Sequence, residues 1–220
     1  MEQSAFLHTG RAGGLIYDRP ALRSIFNGGV DETGLMSGDG DMSPGLEMPP
    51  PGRPAAVLVP LVDRAEGMSV LLTRRTEHLL HHPGQISFPG GRVEECDTDP
   101  VSCALRETME ETGISSSVIE VIGRLKAYRT RTGFSVVPVI GLLTPPFETR
   151  PDPNEVAEIF EVPLSYILNP ANHEVHSREK DGIKRSFYVL PYQDYYIWGA
   201  TAAMLVNFAN ILRRDSALGR

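Results

Sequence analysis

The sequence predicts an α/β chain in which two main helices cover the faces of a mixed β-sheet. Three observations predict it. Short apolar, β-branched runs recur between residues 55 and 164, a strongly capped helical segment interrupts them at 99–113, and an uncharged run with helical spacing lies at 195–212. In chain order, residues 20–26 suit a helix too short to hold without docking. Residues 28–54, "GGVDETGLMSGDGDMSPGLEMPPPGRP", are rich in Gly, Pro and small acids and lack periodicity, as a linker does. The expected division is therefore residues 1–54 as an N-terminal arm and flexible linker, and residues 55–220 as one catalytic-sized domain.

Strands at 55–62 and 68–74 flank a turn at Glu66-Gly67. Asp99 as N-cap, Pro100 as first helical residue and Gly113 as stop then bracket a helix with an expected buried stripe of Val101, Leu105, Thr108, Met109 and Thr112. Strands at 118–125, 134–143 and 158–164 follow, the last running into a helical turn at 165–168. Residues 173–192 read as a hairpin turning at Asp181-Gly182. The final run places Ala202, Leu205, Phe208 and Leu212 on one helical face. It contains Gly199, Thr201, Asn207 and Asn210 and ends on Arg213-Arg214, which favours a docked helix over a membrane span.

With 21 Lys+Arg against 28 Asp+Glu the formal net charge is -7, so a nucleic-acid surface and an anionic-membrane anchor are both disfavoured. Any anion the chain handles must meet a local basic patch. Cys96 and Cys103 are too few for a disulfide scaffold and form no C-x-x-C zinc pair. The start "MEQSAFLHTG" has an acid where an export signal is basic and no apolar stretch after it, so a cytoplasmic location is expected.

The chemistry concentrates in "ALRETMEETGI", residues 104–114, where Glu107, Glu110 and Glu111 sit at i, i+3 and i+4 and project from one side of a helix. A Glu-rich face alone is ordinarily the solvated side. Arg106 before it, the Gly stop after it and the Gly90-Gly91 lead-in point instead to an Mg2+ or Mn2+ site that holds substrate phosphates.

The stretch "GGRVEECDTDPVSCALRETMEETGI" resembles the Nudix box, G-x5-E-x7-R-E-U-x-E-E-x-G-U with U apolar. Gly91, Arg106, Glu107, Glu110, Glu111, Gly113 and Ile114 match; Asp97 replaces the first Glu, one extra residue precedes Arg106, and Thr108 replaces an apolar residue. Upstream, "LLTRRTEHLLHHPGQISFPGG" is similar to the added motif of the coenzyme A pyrophosphatase branch, through Leu71, Leu72, Thr73, Arg75, Gly84, Phe88, Pro89, Gly90 and Gly91. Thr76 stands there for Ser and Leu80 for Arg. The segments "TGFSVVPVIG" and "YYIWGATAAML" also resemble that branch, so the likeness spans residues 55–212.

The resemblance implies a Nudix-type α/β/α sandwich with a mixed sheet. It implies water attack on a phosphorus of a nucleoside diphosphate linked to another moiety, with Mg2+ or Mn2+ on Glu107, Glu110 and Glu111. Arg106 would hold a ligating carboxylate rather than touch substrate. Glu107, Glu155 and Glu158 are the candidate bases, Glu155 being the one placed with the catalytic set. Arg75, His82, Arg92, Arg129, Gly90 and Gly91 are the expected substrate contacts.

His78, His81, His82 and Arg74 join Arg75 and Arg92 in a basic cluster that suits an anion better than zinc. The partners that would complete a zinc site are missing, and His173 and His176 fall on opposite sides of a strand. Arg129 and Arg131 in "KAYRTRTG" compete to meet a 3'-phosphate. The expected substrate is coenzyme A or an acyl form, split to 3',5'-ADP and (acyl-)4'-phosphopantetheine. ADP-ribose, a dinucleotide or a nucleoside triphosphate is the alternative. A non-catalytic nucleotide sensor is disfavoured because the box carboxylates are kept. The expected partner is thus a small nucleotide, with neither nucleic acid nor membrane, and a homodimer is compatible with the sequence.

Overall fold

The computed structural model describes residues 8–9, 15–28, 30, 32–43, 45–50, 52–180 and 182–217. A short pairing of His8–Thr9 with Leu15–Ile16 precedes helix α1 (Arg19–Asn27). The main sheet is mixed and has eight strands among the described residues. Its central path runs β8 (Val156–Pro163), β2 (Gly67–Arg75), β1 (Arg53–Arg64), β7 (Phe134–Leu143), β5 (Ile119–Arg124). Only β1 and β7 along it are parallel, in a register from Arg53↔Phe134 to Val62↔Leu143. The short strands β3 (Ile86–Ser87), β4 (Gly90–Arg92) and β6 (Tyr128–Arg129) pair with β2, β1 and β7 respectively.

The near-continuous apolar run of β1 follows from burial on both faces, because alternate residues serve two cores. Ala55, Val59 and Leu61 pack with Val70, Leu72, Ile140 and Leu142 beneath α3 (Leu164–Leu168) and α4 (Gly199–Ala217). Ala56, Leu58 and Val62 pack with Val139 and Leu143 under Cys103 and Ala104 of α2 (Pro100–Thr112). Helices on both faces of a mixed sheet are the expected α/β/α sandwich. A separate antiparallel sheet, β9 (Glu174–Lys180), β10 (Ile183–Tyr192) and β11 (Tyr195–Trp198), leads into α4; Asp181 of its first turn lies outside the described residues.

The capping signals form as read. Asp99 accepts from the Ser102 amide at 2.8 Å, and Gly113, left-handed at φ 72°, ends α2 with its amide on the Met109 carbonyl. The predicted buried stripe is rotated, however. Cys103, Ala104, Thr108, Glu111 and Thr112 are buried, whereas Met109 is half exposed and Val101 and Leu105 are only partly covered. The helix turns its small residues to the sheet, which lets its backbone approach, and carries Glu111 inward. Buried Thr108 is satisfied by donating to the Ala104 carbonyl at 2.6 Å.

Residues within the expected arm and linker make defined contacts with the rest of the chain. α1 is capped by Asp18 and buries Ala21, Leu22 and Phe26, with Phe26 stacked on Phe208 of α4 at 5.8 Å. Arg19 and Arg23 both pair with Glu120 of β5. Beyond it, Asn207 brackets the backbone of Met36, Arg214 donates to the Thr33 carbonyl, and Glu32 accepts from the Lys126 amide. Gly38 bridges to Arg129, and Ser43 exchanges hydrogen bonds with the Ser186 backbone. No periodicity marks this segment because its contacts, hydrogen bonds to distant elements together with the irregularly spaced Val30, Leu35 and Met36 against the core, form no repeating apolar face.

Candidate active site

The box residues gather where β4 crosses the start of β1 above α2. Gly90 has φ 154°, and a Cβ there would lie 2.4 Å from the Ala56 carbonyl oxygen, so only glycine lets β4 lie on β1. A Cβ on Gly91 would sit 2.3 Å from the Glu107 carboxylate. The two glycines thus open the space into which the carboxylates point.

Arg106 is the hub. Its Nε and Nη2 grip both oxygens of Asp97 at 3.0 and 2.9 Å, Nη1 reaches Glu107 at 3.0 Å and Glu110 at 2.9 Å, and Nη2 also donates to the Arg92 carbonyl. The Asp97 side chain is only 2 % exposed, and the Arg106 hydrogen bonds hold its acid down at about 2. Asp97 therefore keeps a role despite its departure from the box pattern: with one extra residue in the spacing, the shorter acid still reaches the arginine. Sequence reasoning left Asp97 out of the site.

Glu111 is buried, 4 % exposed at its side chain. Its carboxylate has the Gly90 amide at 3.3 Å and Arg75 at 3.8 Å. Burial, reinforced by the charges of Glu107 and Glu155, pushes its acid up to about 8, and burial also raises Glu107. Glu155 comes close because its loop is clipped to the C-terminal end of α2. The Arg150 and Asp152 amides donate to the carbonyls of Thr112 and Glu111, while the hydroxyl and amide of buried Thr76 donate to the Asn154 and Glu155 carbonyls. Glu158, the other later candidate, is drawn off by Arg74 at 2.9 Å and Tyr195 at 2.7 Å.

A desolvated Glu111 carboxylate, with the charges of Glu107 and Glu155 beside it and Arg75 no closer than 3.8 Å, suits a divalent ion. Among the described residues no three acidic, His or Cys side chains converge at cation-binding distance, because Glu110 and Glu107 are turned onto Arg106.

The fit has a measurable consequence. A carboxyl whose folded pKa is raised stabilises the fold below its unfolded value near 4.5, and that contribution is lost as pH rises toward 8. Each tenfold change in an acid constant is worth about 1.4 kcal/mol, so protein in chelator should lose several kcal/mol between pH 5 and 8. The acid of Asp97, held near 2, stays charged throughout that window. Thermal denaturation with and without Mn2+ should therefore diverge as pH rises; parallel curves would show that the box carboxylates do not see the ion.

Beside the box lies a cleft of about 840 Å³. Of the expected substrate contacts, Arg75, His82, Arg92, Gly90 and Gly91 line it, as does His81. Arg129 does not: its guanidinium donates to the Pro49 carbonyl at 2.8 Å, and Arg131, two residues on, lines the cleft instead. Arg74 borders a different concavity with Glu158, and Leu80, in place of the motif Arg, is fully exposed. The remaining wall was not foreseen. Asp39, Met42, Ser43 and Leu46 come from the N-terminal arm, and Arg178, Arg185, Phe187 and Trp198 from the C-terminal sheet. Cys103 is buried with its thiol pushed up to about 11 by desolvation, which makes it an inert packing residue.

The family profile described as NUDIX domain matches residues 52–185. A protein of Enterobacter sp. (strain 638) named Uncharacterized Nudix hydrolase NudL is 40% identical over 157 residues, covering 71% of this chain and 81% of that protein. Its counterpart in Escherichia coli O6:H1 is 38% identical over the same length and shares. Among solved structures, a Caenorhabditis elegans Ap4A hydrolase binary complex aligns at TM-score 0.47 with 19% identity, covering 74% of this chain and 98% of that one. The chain belongs to the Nudix hydrolase family, whose members act on pyrophosphate bonds.

Proposed function

We propose that this protein hydrolyses the pyrophosphate of coenzyme A or acyl-coenzyme A, giving 3',5'-ADP and (acyl-)4'-phosphopantetheine, in the cytoplasm. The carrying observation is the cleft beside the box. Among the described residues six arginines line it, Arg53, Arg75, Arg92, Arg131, Arg178 and Arg185, in a chain of net charge -7. Concentrating that much of a minority charge in one largely apolar cleft suits a polyanionic substrate with an apolar portion. Arg53 and Arg92 lie over the Phe134 ring at 4.3 and 5.3 Å, a stacking that leaves guanidinium edges for phosphate oxygens.

Glu107, Glu110 and Glu111 would hold Mg2+ or Mn2+, which when bound neutralises the diphosphate and acidifies attacking water. Arg106 positions Glu107 and Glu110, and Asp97 positions Arg106. Gly90 and Gly91 let the substrate backbone approach. Glu155, whose charge helps raise the acids of Glu107 and Glu111, would take the proton from water in this reading.

Incubation with a panel of coenzyme A, acetyl-coenzyme A, ADP-ribose, dinucleoside polyphosphates and nucleoside triphosphates, with products resolved by chromatography, tests the reading. Coenzyme A or its thioester should give the highest kcat/KM, and excess chelator should abolish turnover. A higher kcat/KM for ADP-ribose or a dinucleotide would replace this substrate while leaving the chemistry in place.

A further inference from the structure

Five of the six arginines that line the cleft among the described residues fall into two groups, Arg131 standing apart from both. Arg75, Arg92 and Arg53 belong to the box side: Arg75 lies 3.8 Å from Glu111, and the other two flank Phe134. A diphosphate being cut beside Glu111 would occupy them. Arg178 and Arg185 are on the C-terminal hairpin, where the β9–β10 register sets them directly opposite one another. Like charges directly opposite across an antiparallel pair destabilise it. Here both line the cleft, and the Arg178 guanidinium lies 5.8 and 5.4 Å from the rings of Phe187 and Trp198, themselves packed edge to face.

Arg178 has no ion pair or hydrogen bond among the described residues, so its donors face the cleft uncommitted. The one acid lining the cleft among the described residues, Asp39, already accepts from the Tyr128 hydroxyl at 2.9 Å and the Arg131 amide at 2.7 Å. His82, which the sequence favours as an anion contact, has its Nδ1 on Gln85 at 2.7 Å.

We propose that Arg178, on its platform of Phe187 and Trp198, and Arg185 opposite it form a second anion subsite for a phosphate monoester carried by the substrate apart from the scissile diphosphate. This rests on the reading of the cleft as the substrate site and assigns the group that reads the 3'-phosphate to the hairpin rather than to the loop at 74–92.

The test compares coenzyme A with 3'-dephospho-coenzyme A on wild type, Arg178→Gln, and Lys184→Gln as a control that removes a neighbouring hairpin charge. Wild type should prefer coenzyme A in kcat/KM by roughly 10- to 100-fold, the usual range for one charge-assisted contact. Arg178→Gln should shrink the preference several-fold through the KM of coenzyme A, and Lys184→Gln should keep it. Inhibition by 3',5'-ADP should likewise exceed that by 5'-AMP in wild type, with the gap narrowing in Arg178→Gln.

A preference unchanged in Arg178→Gln, or lost equally in Lys184→Gln, overturns the subsite while the substrate reading stands. If wild type cuts both substrates equally well, the subsite falls as well. If it cuts neither but turns over another pyrophosphate, the substrate reading falls and the subsite with it.

Discussion

Glu111→Gln should lower kcat by roughly 10²-fold or more with saturating divalent cation, and at the same time raise the melting temperature of cation-free protein at pH 8. The two effects share one cause. The carboxylate is buried, with only a 3.3 Å amide bond and a 3.8 Å arginine to offset desolvation, which is why its acid rises to about 8. Charge held there without a counterion works against the fold, and a neutral amide of the same shape can still accept from Gly90. The same charge is what a cation needs, and a lost metal ligand forfeits several kcal/mol of charge stabilisation. Steady-state kinetics and thermal melts in chelator check both halves. Wild-type turnover with a retained fold would reduce the glutamate face to ordinary helix surface.

The second large effect concerns residues before the family-matched region. Leu22→Ala should cost about 2–5 kcal/mol, since the side chain is fully buried between α1 and the core, and lower the melting temperature by roughly 5–15 °C. Deletion of residues 1–51 should do more. It removes Tyr17, Ala21, Leu22 and Phe26 from the core and uncovers Phe208. It also strips Asp39, Met42, Ser43 and Leu46 from the cleft wall, so kcat/KM should fall roughly tenfold or more, equivalent to at least about 1.4 kcal/mol of lost contact. Differential scanning fluorimetry and kinetics on the truncated chain decide the matter. Full-length values in both would mean that the arm is the linker its composition suggests.

The strands at 55–62, 68–74, 118–125 and 134–143, the capped helix after Asp99 and the docked C-terminal helix were all legible because each depends on neighbours in sequence. Alternation, a side-chain cap and a left-handed glycine stop act within a few residues. The carboxylates were legible for the same reason, being three positions on one helix. The rotation of that helix was not, since which side faces the sheet depends on how closely β4 and the small residues Cys103 and Ala104 can pack.

Nor could Asp97 be seen holding Arg106, or Arg131 replacing Arg129 in the cleft. The sequence by itself determined the family, the sandwich and the placing of Glu107, Glu110 and Glu111 on one helix. Only the tertiary structure decided what surrounds them. The wall opposite the box joins residues 39–46 to 178–198 through contacts such as Ser43 with Ser186, and bonds between segments so far apart leave no period in the chain.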